Sequence, residues 1–513
     1  MKLNFNKKFA VTFIALFLSI ASITAAQPAA NALDIHGLDQ FSLIGVRSRA
    51  MGGTTIANAN DASALFSNPA ALSKLKSIEI RAGGFFANTA RKQTQEWVPQ
   101  RSAPGLGLLF EGLTGTIKTP DSAGVPGVTE KDPWKTVQRQ YDNIKPNWNN
   151  STSAIEPFSF AAAVPFEIEG FSIVAGIGAS KTIDLNNYYQ NNNSMSPYLG
   201  QLRPYVNFYD RSKPTDTAHV KWYQYIRERK GSMYGVTPGI AVTILTGLTI
   251  GGSATIHSGS SDDNESRLDR GHLNIAVENG APQNFMVDTV YYKQSKVGTS
   301  TYSGNSMNVG LYFQQERYSI GITVAPEMTI TRTWKRDVSS MDTTRKTFPV
   351  RVDSLTTRSY HESGKDNLTF PLSYSFGIVL TPTDKWTIAF DYEMRYLSDV
   401  NLTTTLNSAP THPWSNNRGS MHIGAEYRPD KMLALRGGYR DDVQPFSPDG
   451  AAIIGEPARG GIYSLGAGIF LEDILIDFAY EYSLLKYEDM YQSNVNYNSR
   501  EQHRLMMEIA YRF

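Results

Sequence analysis

The residue types that carry out catalysis or hold metals are sparse in this chain. Its eight histidines, His36, His219, His257, His272, His361, His412, His422 and His503, are scattered along 513 residues. None stands in a His-Glu-x-x-His pair, and no Gly-x-Ser-x-Gly elbow presents a nucleophile. There is no cysteine, which removes thiol catalysis, disulfides and thiolate zinc sites together. The acidic run Asp262-Asp263-Asn264-Glu265 lacks the spacing and the glycine of a calcium loop. No phosphate-loop motif supplies an energy source. The sequence therefore assigns no catalytic residue, no metal ligand and no cofactor. What does recur is arginine at alternating positions, at Arg395, Arg436, Arg440, Arg504 and Arg512. Asp391, Glu393 and Glu508 fall on the same face of those segments, so an ion-pair network fits better than a site for an anionic head group.

The elements that place these charges are strands. Gly231 to Ser261 contains no Asp, Glu, Lys or Arg, yet it alternates strictly. Tyr234, Val236, Pro238, Ile240, Val242 and Ile244 stand against Gly235, Thr237, Gly239, Ala241 and Thr243. After a turn at Leu245-Thr246-Gly247 the pattern resumes from Leu248 to Ile256. A period of two with small polar partners marks strands rather than a helix, and each run is long enough to cross a bilayer when tilted. Five further hairpins repeat the unit, around 167–170, 314–318, 382–385, 428–432 and 472–473. A strand from Ile78 and a last one ending at Phe513 bring the count to fourteen. An even count with short turns at one end describes an all-β, 14-stranded antiparallel transmembrane barrel. The mean hydropathy of −0.32 does not contradict this, since only alternate residues face lipid. A net charge of +1 gives no reason to expect a nucleic-acid partner.

Residues 1–32 read as a secretory signal peptide. Lys2, Lys7 and Lys8 precede an apolar run from Phe9 to Ala21, with cleavage expected after Ala32, or after Ala26. Residues 33–77 then form a segment unlike the strands, and residues 78–513 the barrel. Asp61 is placed to cap a short helix, and Pro69 to open a second one after Ser67-Asn68. The long stretches 89–156, 184–232, 258–304 and 330–369 read as extracellular loops.

Here the sequence resembles a known family. Arg49-Ala50-Met51-Gly52-Gly53, Ala57, Asp61-Ala62-Ser63-Ala64 and Asn68-Pro69-Ala70 are similar to the N-terminal hatch of the FadL family of outer-membrane transporters for long-chain fatty acids and other hydrophobic compounds. Glu156-Pro157-Phe158, Pro165-Phe166 and Gly176-Ile177-Gly178 resemble that family's second and third strands. The resemblance implies a small helical hatch plugging the barrel, with Gly52, Gly53, Asp61, Asn68, Pro69 and Ala70 as hatch residues. It implies a Gram-negative outer membrane, and passive uptake with release sideways into that membrane. The partners expected are a long-chain fatty acid or another hydrophobic molecule, outer-membrane lipid, and the barrel-assembly machinery reading Phe513. Leu106, Leu109, Phe110, Tyr205, Phe208, Trp222 and Tyr225 are the candidate greasy contacts, and Arg395 and Arg436 the candidate head-group contacts. Arg47 and Arg49 in the hatch are open to the same role. The alternative function is a FadL-like barrel serving as a subunit of a secretion or surface-attachment machine.

Overall fold

The computed structural model describes residues 44–97, 147–198, 205–206, 214–278, 281–288, 291–346, 352–405, 419–448, 456–491 and 494–513. The signal-peptide reading of 1–32 lies outside them. A short helix α1 (Val46–Ala50) and two 3-10 turns, Ala62–Phe66 and Pro69–Lys74, precede the barrel.

Fourteen antiparallel strands follow. They are β1 (Glu79–Trp97), β2 (Trp148–Ile168), β3 (Phe171–Asp184, resuming as Asn187–Tyr198), β4 (Pro214–Leu245), β5 (Leu248–Glu278) and β6 (Tyr291–Gln314), with two further short strands, Tyr205–Val206 and Ala281–Asp288, paired to β4 and β5. Three interrupted strands come next: β7 (Tyr318–Ala325 and Met328–Lys346), β8 (Val352–Phe370 and Ser373–Thr383) and β9 (Trp386–Arg395 and Asn401–Thr404). The circuit ends with β10 (Ser420–Tyr427), β11 (Leu433–Val443), β12 (Arg459–Leu471), β13 (Ile474–Tyr491) and β14 (Asn494–Arg512). Each pairs with its sequence neighbour, and β14 closes on β1 from Glu79↔Arg512 to Trp97↔Asn494. Closure leaves no edge within the bilayer, the condition for crossing it with strands. At one end the hairpins are tight. Glu169 and Gly170 both take positive φ, the twist that a two-residue turn between right-twisted strands requires.

The alternation read from β4 and β5 sorts as expected. Tyr234, Val236, Ile240, Ile250 and Ile256 face outward, while Thr237, Ala241, Thr249 and Ser253 are buried inside. The apolar band continues through Phe86, Val309, Phe376, Ile423, Leu435, Phe478 and Leu505. At the short-turn end an aromatic girdle includes the pairs Trp386–Tyr427 and Tyr511–Phe513, both with centroids 4.7 Å apart.

The loop boundaries are corrected. Most of 214–232, 258–278, 291–304, 328–346 and 352–370 is strand. β4 and β5 run for 32 and 31 residues, against the roughly 9–11 that a bilayer needs. The sheet of β4–β8 therefore stands as a tall wall beyond the membrane. Near the outer interface β7, β8 and β9 break, at Pro326, at Pro371 and at a 3-10 turn over Leu397–Asp399. A proline gives no ladder donor, so strands bend there. An apolar knot that includes Ile183, Leu185, Met233, Met328, Phe370 and Leu397 fills the inside of the bend.

This places the membrane boundary testably. Ile423→Lys, on the lipid face, should cost about 2–4 kcal/mol in urea unfolding from lipid vesicles. Ser339→Lys, on the exposed face of the wall, should cost under about 0.5 kcal/mol. Equal costs would mean that the wall is also embedded in lipid.

Candidate functional site

The functional geometry is a hatch fastened into a barrel of complementary shape and charge. Asp61 accepts from Ser63 N at 2.9 Å and from the Ser63 hydroxyl, capping the first 3-10 turn. Asn68 caps the second turn through Ala70 N, and its amide donates to Ile56 O at 2.7 Å and to Leu311 O on β6 at 3.2 Å. Pro69 occupies the first position of that turn. The Asp61 cap and the Pro69 opening stand where the sequence placed them, and Asn68 adds a second cap. The wall makes room with glycine: a Cβ on Gly310 would lie 1.9 Å from Asn68 Oδ1, and one on Gly424 would lie 2.2 Å from Met51 O. Gly52 and Gly53 turn the hatch with φ of +67° and +81°, pressed against β10 and β11.

Charge does the fastening. Glu426 on β10 takes Arg47 at 3.1 Å and Arg436 at 2.7 Å, and Arg436 reaches Asp477 on β13. Glu481 takes Arg49 of the hatch and Arg440 of the wall. Arg81 on β1 pairs with hatch Asp61 and lies 3.1 Å from Glu508. Three wall carboxylates also accept hatch backbone N–H groups: Glu79 from Ala62 at 2.8 Å, Asp391 from Ile56 at 2.9 Å and Glu508 from Val46 at 3.1 Å. Burial alone would raise the Asp61 carboxyl, but the Arg81 guanidinium outweighs it and holds it below the usual carboxylate range. Lys74, at the end of the second turn, donates to Ala57 O at 2.8 Å and sits 4.8 Å from the Tyr312 ring centre. Burial, with Arg47 adding to it, depresses its pKa to about 7.

Above the hatch lies a cavity of about 530 Å³. Eight arginine or lysine side chains and six carboxylates line it, interleaved with apolar groups such as Phe85, Phe370, Leu397, Val443 and Ile462. Of the expected head-group residues, Arg395 lines this cavity, over the Phe370 ring, whereas Arg436 is locked in the latch below. Arg47 and Arg49 are latched as well. Tyr225 sits on β4 in the tall wall, its ring 6.2 Å from Tyr189. Tyr205 and Trp222 fall on strand segments, at Tyr205↔Thr215 and Met195↔Trp222. Leu106, Leu109, Phe110 and Phe208 lie outside the described residues. Arg91 and Arg500, which also line the cavity, were missed. Extending the β1 and β14 alternation by a few residues would have found them. Among the described residues no group of three or more His, Asp or Glu is arranged to hold a metal.

A second concavity, about 840 Å³, lies on the lipid side of the barrel across β12, β13, β14, β1 and β2, beside a bulge in β1 between Gly83 and Gly84. Phe86, Ile155, Leu465, Phe478 and Leu505 line it, and Phe85 and Glu156 border both this groove and the inner cavity.

Two predictions test the latch. Arg81→Met strands Asp61 and Glu508 without their cation and should cost about 3–5 kcal/mol in chemical unfolding. A loss under about 1 kcal/mol would remove Arg81 from the latch. For Lys74, the folded pKa of about 7 lies below the unfolded 10.5. The unfolded chain therefore binds more protons between those values, and stability rises with pH across that window and is flat below it. The difference in thermal stability between wild type and Lys74→Met should change from pH 7 to 10. A constant difference would contradict the assignment.

The comparisons agree with this geometry in fold. A Pseudomonas aeruginosa FadL homologue superposes with a TM-score of 0.55 at 13% identity, covering 92% of this chain and 99% of that one. The P. putida toluene transporter TodX gives a TM-score of 0.51 at 14% identity, covering 93% and 99%. A family model described as BamG matches residues 202–436. No curated protein matches in sequence. In its fold, then, the chain is an outer-membrane barrel of the FadL/TodX type, closed by fourteen strands around an N-terminal hatch.

Proposed function

We propose that this chain is a plugged barrel of the Gram-negative outer membrane that works as a subunit of a larger machine, the Bam barrel-assembly machinery. The observation that carries this reading is the BamG match over 202–436, which spans the tall wall from β4 to β8. A wall of strands far longer than the bilayer requires suits contact with another protein's outer surface. The lumen supports the same reading. An apolar solute gains about 0.8 kcal/mol per methylene only where the pocket is apolar, and this cavity sets eight basic and six acidic side chains among its apolar ones. Phe513 would also be read during the barrel's own assembly, which is a separate contact with the same machinery.

One observation favours a second reading, passive passage of a hydrophobic molecule such as a long-chain fatty acid. The lipid-side groove at the β1–β2 bulge shares Phe85 and Glu156 with the lumen, an arrangement that suits lateral release. Glu156 there is held by Lys181, which is bonded to Asp184 at 3.3 Å as well.

The two readings separate in one strain pair. With a tagged copy replacing the native one, the subunit reading expects stoichiometric recovery of barrel-assembly components from cross-linked outer membranes. It also expects unchanged uptake of labelled oleate and toluene on deletion. Lost uptake with no assembly component recovered would overturn it in favour of the channel.

A further inference from the structure

Arg91 on β1 and Arg500 on β14 stand directly opposite each other across the seam that closes the barrel. Both line the cavity above the hatch, and Arg504, two inward positions from Arg500 on β14, lines it too. Like charges directly opposite on neighbouring strands destabilise a sheet unless something neutralises them.

The carboxylates nearby are already engaged. Asp442 is bonded to Arg500 at 2.8 Å, and Asp184 and Glu156 both serve Lys181. Glu481 is shared among Arg49, Arg440 and Arg504, the last at 3.7 Å. Asp184 acts on Arg91 only through space. Among the described residues Arg91 has no hydrogen bond or ion pair, and the buried Nε of Arg504 has no hydrogen-bond partner. Between the two arginines of β14, Gln502 donates to Thr89 at 2.8 Å, which keeps this stretch of wall polar.

We propose that this seam is a binding site for a phosphate group. Arg91, Arg500 and Arg504 would surround a dianion with guanidinium donors, the geometry that arginine offers to phosphate. A cavity of about 530 Å³ has room for a phosphate carrying a further group, so a phospholipid head group and a soluble phosphate ester share the chemistry. The site is independent of the assembly reading, since it requires only the barrel and its hatch.

The test uses the full-length protein in a non-ionic detergent, titrated at constant ionic strength with inorganic phosphate and, separately, with dihexanoyl phosphatidate. Calorimetry and the shift in Tm are read together. At least one ligand should bind and raise Tm. Arg91→Gln and Arg500→Gln should each weaken binding by about tenfold or more, while Arg317→Gln, on an exposed turn, should not. Arg91→Gln should also raise Tm in the absence of ligand, because the repulsion is relieved. That readout shows the variant is folded and that the seam is strained. Tighter binding of phosphatidate identifies a lipid head group, and tighter binding of phosphate a soluble source. No binding of either, or equal binding by wild type and both seam variants, would overturn the proposal.

Discussion

The structure depends on one constraint: carboxylates inside a closed barrel must be neutralised by something. Glu79, Asp391, Glu426, Glu481 and Glu508 are all buried on the inner wall. Burying an ionised carboxylate without partners costs far more than a fold can supply. The hatch provides part of that partnership as two arginines and a row of backbone N–H groups, and wall arginines such as Arg81, Arg436, Arg440 and Arg512 complete it. Its own Asp61 is matched in turn by Arg81 of the wall. Hatch and barrel are therefore one electrostatic unit.

Shape follows charge. The hatch residues are small because the lumen of fourteen strands is narrow, and the wall opposite them is glycine where backbone meets backbone. Gly310 accommodates Asn68, and Gly424 accommodates Met51. Side chains of ordinary size at these points would hold the hatch away from the carboxylates that anchor it. Above the hatch the packing changes character. The prolines at 326 and 371 interrupt two strands, the apolar knot fills the bend, and the sheet continues outward as a wall with water on its outer face.

Much of this was legible in the residues. The period of two from Tyr234 to Ile256, the cap position of Asp61, the helix start at Pro69 and the hairpin count all carry their meaning locally. The tall wall was not legible, for a physical reason. Beyond the membrane neither face of a strand has to be uniformly apolar, so the alternation that identifies β4 inside the bilayer fades between Pro214 and Lys230, and the stretch looks like a loop. The site residues were legible only as a class. Parity placed Arg395 and Arg436 inside the barrel, but whether each latches the hatch or lines the cavity depends on height and register. The height of the hatch against the wall is set by contacts hundreds of residues apart in sequence, such as Arg47 with Glu426.

A barrel whose plug is built into its charge balance is better suited to present a fixed outer wall than to pass solutes straight through its lumen. The most direct measurement is single-channel conductance in planar bilayers, for the intact chain and for a variant lacking residues 58–72. The account predicts a closed, silent intact protein and an open pore in the variant. A steady open conductance from the intact chain, equal to that of the variant, would contradict it.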